Sequence, residues 1–155
     1  MKRAALLGIL MAVAGGLRAP ALADEAYRAE IRKWREDRES RLKADGGWLT
    51  LAGLFWLKNG TNRFGTGPSS DIVLPQGAGP ARAGVFEFDG GRTTVRLEAT
   101  VQGRIGKVRV AGPVELKPDT SGSPDVLEIG PLSMLVIKRG ERYGIRLKDN
   151  NSPIR

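Results

Sequence analysis

The segment KRGERYGIRLKD, from Lys138 to Asp149, carries five basic residues in twelve positions and is the densest polar stretch after residue 23. Read as a strand centred on Tyr143 to Leu147, it puts Arg142, Gly144, Arg146 and Lys148 on one face and Tyr143, Ile145 and Leu147 on the other. Alternate residues of a strand face lie about 7 Å apart. Cations at that spacing form a fork for a carboxylate or a phosphate. The competing reading is a solvated face whose Arg and Lys side chains protect a sheet edge. A second group is aromatic: GGWLTLAGLFWLKNG, from Gly46 to Gly60, holds Trp48 and Trp56, whose indole N–H groups need a partner that a ligand can supply. The plainer reading of that stretch is core filling. At about ten apolar positions, broken by Thr50 and Gly53, it is too short to span a bilayer, which takes about 20 residues.

Other constellations are weaker. Asp149 to Pro153, DNNSP, supplies oxygen ligands but lacks the order of a calcium loop and its closing Glu, and reads better as an Asx turn. GTGPSS, Gly65 to Ser70, has the small residues of an anion nest without the lysine of a nucleotide loop. Glu87, Glu98, Glu128 and Glu141 lie on or beside expected strands, and spacing alone pairs none of them for acid/base work.

Two absences exclude more than these residues suggest. The sequence has no cysteine and no histidine. Disulfides, Cys or His zinc sites, Ser-His-Asp and Cys-His catalysis and histidine acid/base chemistry are therefore closed to this chain. No cofactor and no metal site is expected, and a non-catalytic role is favoured.

An address can be read from the start of the chain. Lys2 and Arg3 precede the apolar run AALLGILMAVAGGL, and Ala21-Leu22-Ala23 offers small residues for cleavage. Residues 1–23 thus read as a signal peptide cut between Ala23 and Asp24, giving a periplasmic or secreted protein with no transmembrane segment in its mature chain. Three of the 25 basic residues, Lys2, Arg3 and Arg18, lie in that leader with none of the 17 acids. The net charge therefore falls from +8 to +5, from 22 basic against 17 acidic side chains. This excess forms no Lys/Arg block, so nucleic acid is not an expected partner, whereas an anionic envelope ligand or a partner protein is.

The elements that must position these groups follow in two blocks. Residues 24–44 are rich in helix formers and place Tyr27, Ile31, Trp34 and Leu42 on one narrow stripe, predicting an amphipathic helix capped by Asp24, ended by Gly46-Gly47 and docked on the body by that stripe. Residues 45–155 read as short strands: Trp48–Leu51 and Leu54–Lys58 around a break at Ala52-Gly53, an Asn59-Gly60 hairpin into Thr61–Phe64, then Asp71–Leu74, Gly84–Phe88, Thr93–Ala99, Lys107–Val110, Val126–Ile129, Met134–Lys138 and Tyr143–Leu147. Strands so spaced predict a mainly β domain, an antiparallel sandwich or barrel with one N-terminal helix. Apolar residues on both faces of the Trp48–Lys58 stretch predict that it is covered from both sides.

YRAEIRKWREDRESRLKADGGWLTLAGLFWLKNGTNRFGTGPSSDIVLP, PARAGVFEF and LVIKRGERYGIRLKDNNSP, taken in order, resemble the bacterial domain-of-unknown-function family 1684 (DUF1684) across Asp24 to Pro153. The resemblance implies an exported or cytoplasmic, mainly β bacterial protein with no established activity. Members continue into a second β-rich half after the RLKDNNSP segment, so the resemblance also implies a shortened chain with an open strand edge at its end. A fainter likeness is to forkhead-associated phosphopeptide-binding domains, carried by Gly65, Ser69, Asp71, Ile72, Leu74 and Arg82. Thr66 stands where that pattern has arginine, and no histidine follows Arg82.

The functional expectation is an envelope-associated binding module that holds an anionic or polymeric ligand on Arg142, Arg146 and Lys148, with Trp48 and Trp56 as aromatic contacts. The alternatives are the N-terminal part of a hydrolase-like enzyme whose site needs a further half, and a forkhead-associated-like interaction domain.

Overall fold

The computed structural model describes residues 19–155, and the chain divides into two units between Glu39 and Ser40. Of the expected leader, residues 1–18 lie outside the described residues. Ala19–Lys43 forms α1. Because α1 begins before Asp24, that residue does not cap it. The Asp24 carboxylate pairs instead with Arg28 one turn on, at 2.9 Å, an exposed pair of about 0.5 kcal/mol at most. Tyr27 and Trp34 are exposed, and the Arg38 guanidinium lies 5.5 Å over the Trp34 ring. Arg41 and Lys43 place positive charge at the helix C-terminus, where the dipole favours it.

Strands follow from residue 51: β1 Leu51–Trp56, β2 Gly60–Gly65, β3 Ile72–Val73, β4 Gly84–Asp89, β5 Arg92–Leu97, β6 Arg104–Ile105, β7 Val108–Arg109, β8 Val114–Leu116, β9 Val126–Ile129, β10 Leu132–Arg139 and β11 Arg142–Asp149. They form a six-stranded sheet in the order β1-β11-β10-β9-β6-β7 and a five-stranded sheet in the order β3-β2-β4-β5-β8. All pairs are antiparallel except β2 with β3. The mainly β sandwich read from the turn spacing is therefore the observed architecture. Its core joins Leu127, Met134, Val136, Ile145 and Leu147 of the larger sheet to Phe64, Ile72, Phe86 and Val95 of the smaller, all at most 1% exposed. The Phe64 and Phe86 rings lie 4.7 Å apart at its centre. Each such side chain contributes about 1.5–3 kcal/mol by leaving water.

Besides the Asp24 cap, the structure corrects four expectations in the β domain. Trp48–Thr50 is a 3-10 turn, and the strand begins at Leu51 with an irregular register between Leu51 and Gly53, where a break was read at Ala52-Gly53. The outer face of β1 is not buried: Leu51, Leu54 and Trp56 are all exposed. The last strand is not an open edge, because β11 lies between β1 and β10. Asn59-Gly60 closes no hairpin, since β1 pairs with β11 and β2 with β3 and β4.

Asn62 explains the last correction. Gly60 supplies the positive φ of +84° that the bend requires. Asn62, 1% exposed, then ties the corner together: its Oδ1 accepts the Lys58 N–H at 2.9 Å and its Nδ2 donates to the Lys58 carbonyl at 2.8 Å. The amide occupies the backbone groups of Lys58 that a cross-strand partner would otherwise take, so the chain turns from one sheet into the other. Asn62→Ala should lower the unfolding free energy by about 1–3 kcal/mol, because buried backbone groups lose their partner. Urea unfolding measures this, and a loss below about 0.5 kcal/mol would mean that the corner holds without the amide.

Candidate functional site

The alternation read in β11 is present. Ile145 and Leu147 are fully buried in the core, while Arg142, Arg146 and Lys148 project from the opposite face of the larger sheet. Cross-strand register fixes their neighbours on that outer face. Arg146 stands between Leu54 of β1 and Leu135 of β10, and Lys148 stands opposite Ser133, which in turn faces Glu128 of β9.

These cations do not act as one fork. Arg142 is four residues from Arg146, about 13 Å along a strand. It lies over Trp56, with its guanidinium carbon 4.0 Å from the ring centroid. The absence of a side chain at Gly144 makes the stack possible: a Cβ there would come within 2.9 Å of the Phe55 carbonyl oxygen and 3.0 Å of the Trp56 ring. Trp48 stands apart in its turn, 64% exposed. The five expected residues thus separate into a stacked pair, Arg142 with Trp56, a second pair, Arg146 with Lys148, and an isolated tryptophan.

Arg146 and Lys148 line one cavity of about 300 Å³, with Ser133, Asn150, Asp45, Gly46 and Glu128 among its walls. Both carboxylates of this cavity are held by other arginines: Glu128 by Arg104 at 2.5 Å, Asp45 by Arg155 at 2.5 Å. Among the described residues, no carboxylate is ion-paired with Arg146 or Lys148, and the Asp119 carboxylate, held by Arg139, feels the Arg146 charge from farther off. The Lys148 ammonium donates to the Gly46 carbonyl, and the Asn150 side chain accepts the Gly46 N–H at 2.9 Å, so the Gly46 loop forms a fixed wall. Burial, and then the positive charge of Arg146, hold the Lys148 ammonium below its ordinary pKa of 10.5.

That depression makes a prediction whose sign is fixed by linkage. Between the lowered folded pKa and 10.5 the unfolded chain binds the extra proton. Stability is therefore reduced below the folded pKa and rises as pH climbs towards 10.5. Lys148→Met removes this rise. Melting temperatures of the two proteins compared from about pH 8 to about pH 10.5 should converge as pH increases; parallel curves would show that Lys148 carries no such penalty.

A second cleft, of about 340 Å³, lies on the smaller sheet between Arg63, Ser69, Ser70, Arg82 and Glu98. It gathers part of the forkhead-associated-like pattern. Ser69 and Arg82 line it, but Gly65, Thr66 and Asp71 hold the loops together. A Cβ on Gly65 would lie 2.2 Å from the Ala81 carbonyl oxygen. Thr66 donates its hydroxyl to the Gly79 carbonyl at 3.3 Å. Asp71 accepts the Arg63 backbone N–H at 3.0 Å and faces the Lys58 ammonium at 3.3 Å, and these two contacts hold its carboxyl below the usual 3.8.

Arg63, Ser133 and the pairing of Glu128 with Arg104 and of Asp45 with Arg155 were not visible, and Asn150 and Glu128 stood out only as a turn residue and an unpaired acid. Their signal is register between strands distant in sequence. Ser133 alternates with buried Leu132 and Met134, which marks it as outward-facing and says nothing of Lys148 opposite.

No family model matches the chain, and no curated protein matches it. Solved structures do. The FHA domain of FhaA, complexed with the intracellular domain of Rv3910, is 17% identical over 61% of this chain and 97% of that one, with a TM-score of 0.42. The N-terminal FHA domain of EssC, a component of the bacterial type VII secretion apparatus, is 14% identical over 65% of this chain and 49% of that one, at 0.48. The FHA domain of a hypothetical protein of Arabidopsis thaliana is 16% identical over 64% and 86%, at 0.40.

Proposed function

We propose that the β domain is a non-catalytic interaction module that holds an anionic group of a partner in the cavity of Arg146 and Lys148. One observation carries this: two adjacent cations share a partly buried cavity whose own carboxylates are bound elsewhere. Keeping like charges together, with burial already disfavouring the ammonium, costs folding free energy that an incoming anion offsets. Ser133 and Asn150 line the same cavity and add neutral hydrogen-bonding groups. The chemistry fits a carboxylate or phosphate held by charge-assisted hydrogen bonds.

A second reading places a phosphorylated segment in the cleft of Arg63, Arg82, Ser69 and Ser70, as in a forkhead-associated-like domain. Two guanidiniums and two hydroxyls in one cleft favour it. Against it, the Asp71 carboxylate is close enough to feel the Arg63 charge, and Glu98, a wall of the same cleft, competes with any anion for the cleft's guanidiniums.

The module acts, in this proposal, as an exported protein akin to DUF1684, cut between Ala23 and Asp24. Protein recovered from the producing cell should begin at Asp24; a chain beginning at Met1 contradicts export by cleavage. For the cavity itself, calorimetric titration with pyrophosphate should give binding that weakens with added salt. Absence of heat at low salt, with the domain folded, would refute it.

A further inference from the structure

The edge of the larger sheet next to the cavity is built like a strand acceptor. β1 ends the sheet order, with β11 as its one neighbour. The Leu57 N–H donates to the Tyr143 carbonyl at 2.9 Å, so Leu57, and by alternation Phe55, turn their backbone groups towards β11. Leu54 and Trp56 then turn theirs away, to the open side. An edge of this kind is ordinarily blunted by charge or proline. The sequence of β1, LAGLFW, has neither, and the irregular register between Leu51 and Gly53 leaves Leu54 to Trp56 regular.

We propose that β1 accepts, by strand addition, an extended segment of a partner protein in which acidic and apolar side chains alternate. The inference rests on the reading of Arg146 and Lys148 as an anion site and names the partner of that site. Alternation follows from the two faces of β1. On the outer face, beyond exposed Leu51 and Leu54, stand Lys148 and Arg146, two strands or about 10 Å from the added chain, which is within joint reach of a long cationic side chain and a glutamate. On the inner face Phe55 and Leu57 pack on the core but remain half-exposed at its margin, where apolar side chains cover them. A strand added to a sheet edge gains its affinity from main-chain hydrogen bonds and its selectivity from alternate side chains.

Charge complementarity decides the occupant. A second copy of β1 offers no acid in LAGLFW, and pairing two such edges brings two sets of Arg146 and Lys148 to one seam. An acidic segment neutralises one set instead.

The test uses the folded protein and a blocked peptide of four Glu-Val repeats. Binding should slow amide hydrogen exchange at Leu54 and Trp56 at least tenfold. The Lys-Val counterpart should not bind. Methylating one alternate set of the peptide's amide nitrogens should weaken binding at least tenfold, while methylating the other set is tolerated, because one set alone faces β1. Equal binding by both methylated peptides, or peptide binding that leaves Leu54 and Trp56 unprotected, overturns strand addition while leaving the anion site intact if pyrophosphate still binds. Protection of these amides in a dimer without peptide assigns the edge to a second copy and overturns the proposal too. Failure of pyrophosphate to bind, with equal affinity for the Glu and Lys peptides, removes the anion site itself.

Discussion

A Phe86→Ala variant should lose about 3–5 kcal/mol of folding free energy, a large share of the roughly 5–15 kcal/mol that holds a domain folded. Phe86 is 0% exposed at the centre of the smaller sheet, opposite Asn62 on one side and Val95 on the other. Its ring meets Phe64 at 4.7 Å, so truncation removes transfer free energy and an aromatic contact together and leaves a cavity facing the other sheet. With no disulfide to hold the chain, nothing covalent offsets the loss. The urea midpoint should drop at nearly constant slope; a change below about 1 kcal/mol would mean that the core closes over the gap.

The second large effect is on binding. Arg146→Ala with Lys148→Ala should weaken pyrophosphate binding at least about 100-fold, since each charge-assisted hydrogen bond contributes about 1.5–3 kcal/mol. The folding midpoint should stay level or rise, because the pair repels itself across a partly buried cavity. Opposite signs on binding and stability separate a site from a structural cluster. Loss of both together would show that the cations hold the sheet. The single variants should sum to more than the double if the two cations grip one anion, and merely add if they act apart.

Much of this was legible in the chain. The period of two in RYGIRLK fixed which side chains of β11 face the core, because a one-residue slip would expose Ile145 and Leu147. The glycine-rich turns marked most strands, and the Asx turn at Asp149 exists, with its carboxylate accepting the Asn151 N–H at 2.8 Å. What failed depended on partners far along the sequence. β6 and β8, two and three residues long, carry too little pattern to stand out from loops. Asn59-Gly60 has the chemistry of a hairpin, and only the buried side chain of Asn62 reveals a crossover. The fork expected from three cations was divided because Gly144 leaves room for Trp56, which draws Arg142 away. That two carboxylates in the cavity were already paired with Arg104 and Arg155 could be seen only in three dimensions.

The most direct test of the central claim is an amide nitrogen–proton correlation titration of the folded domain with pyrophosphate at low salt. The predicted result is a saturable set of shifts confined to Ser133, Arg146, Lys148, Asn150 and the Gly46 loop. Shifts centred on Arg63, Ser69, Ser70 and Arg82, with the first group unmoved, would contradict it and move the site to the smaller sheet.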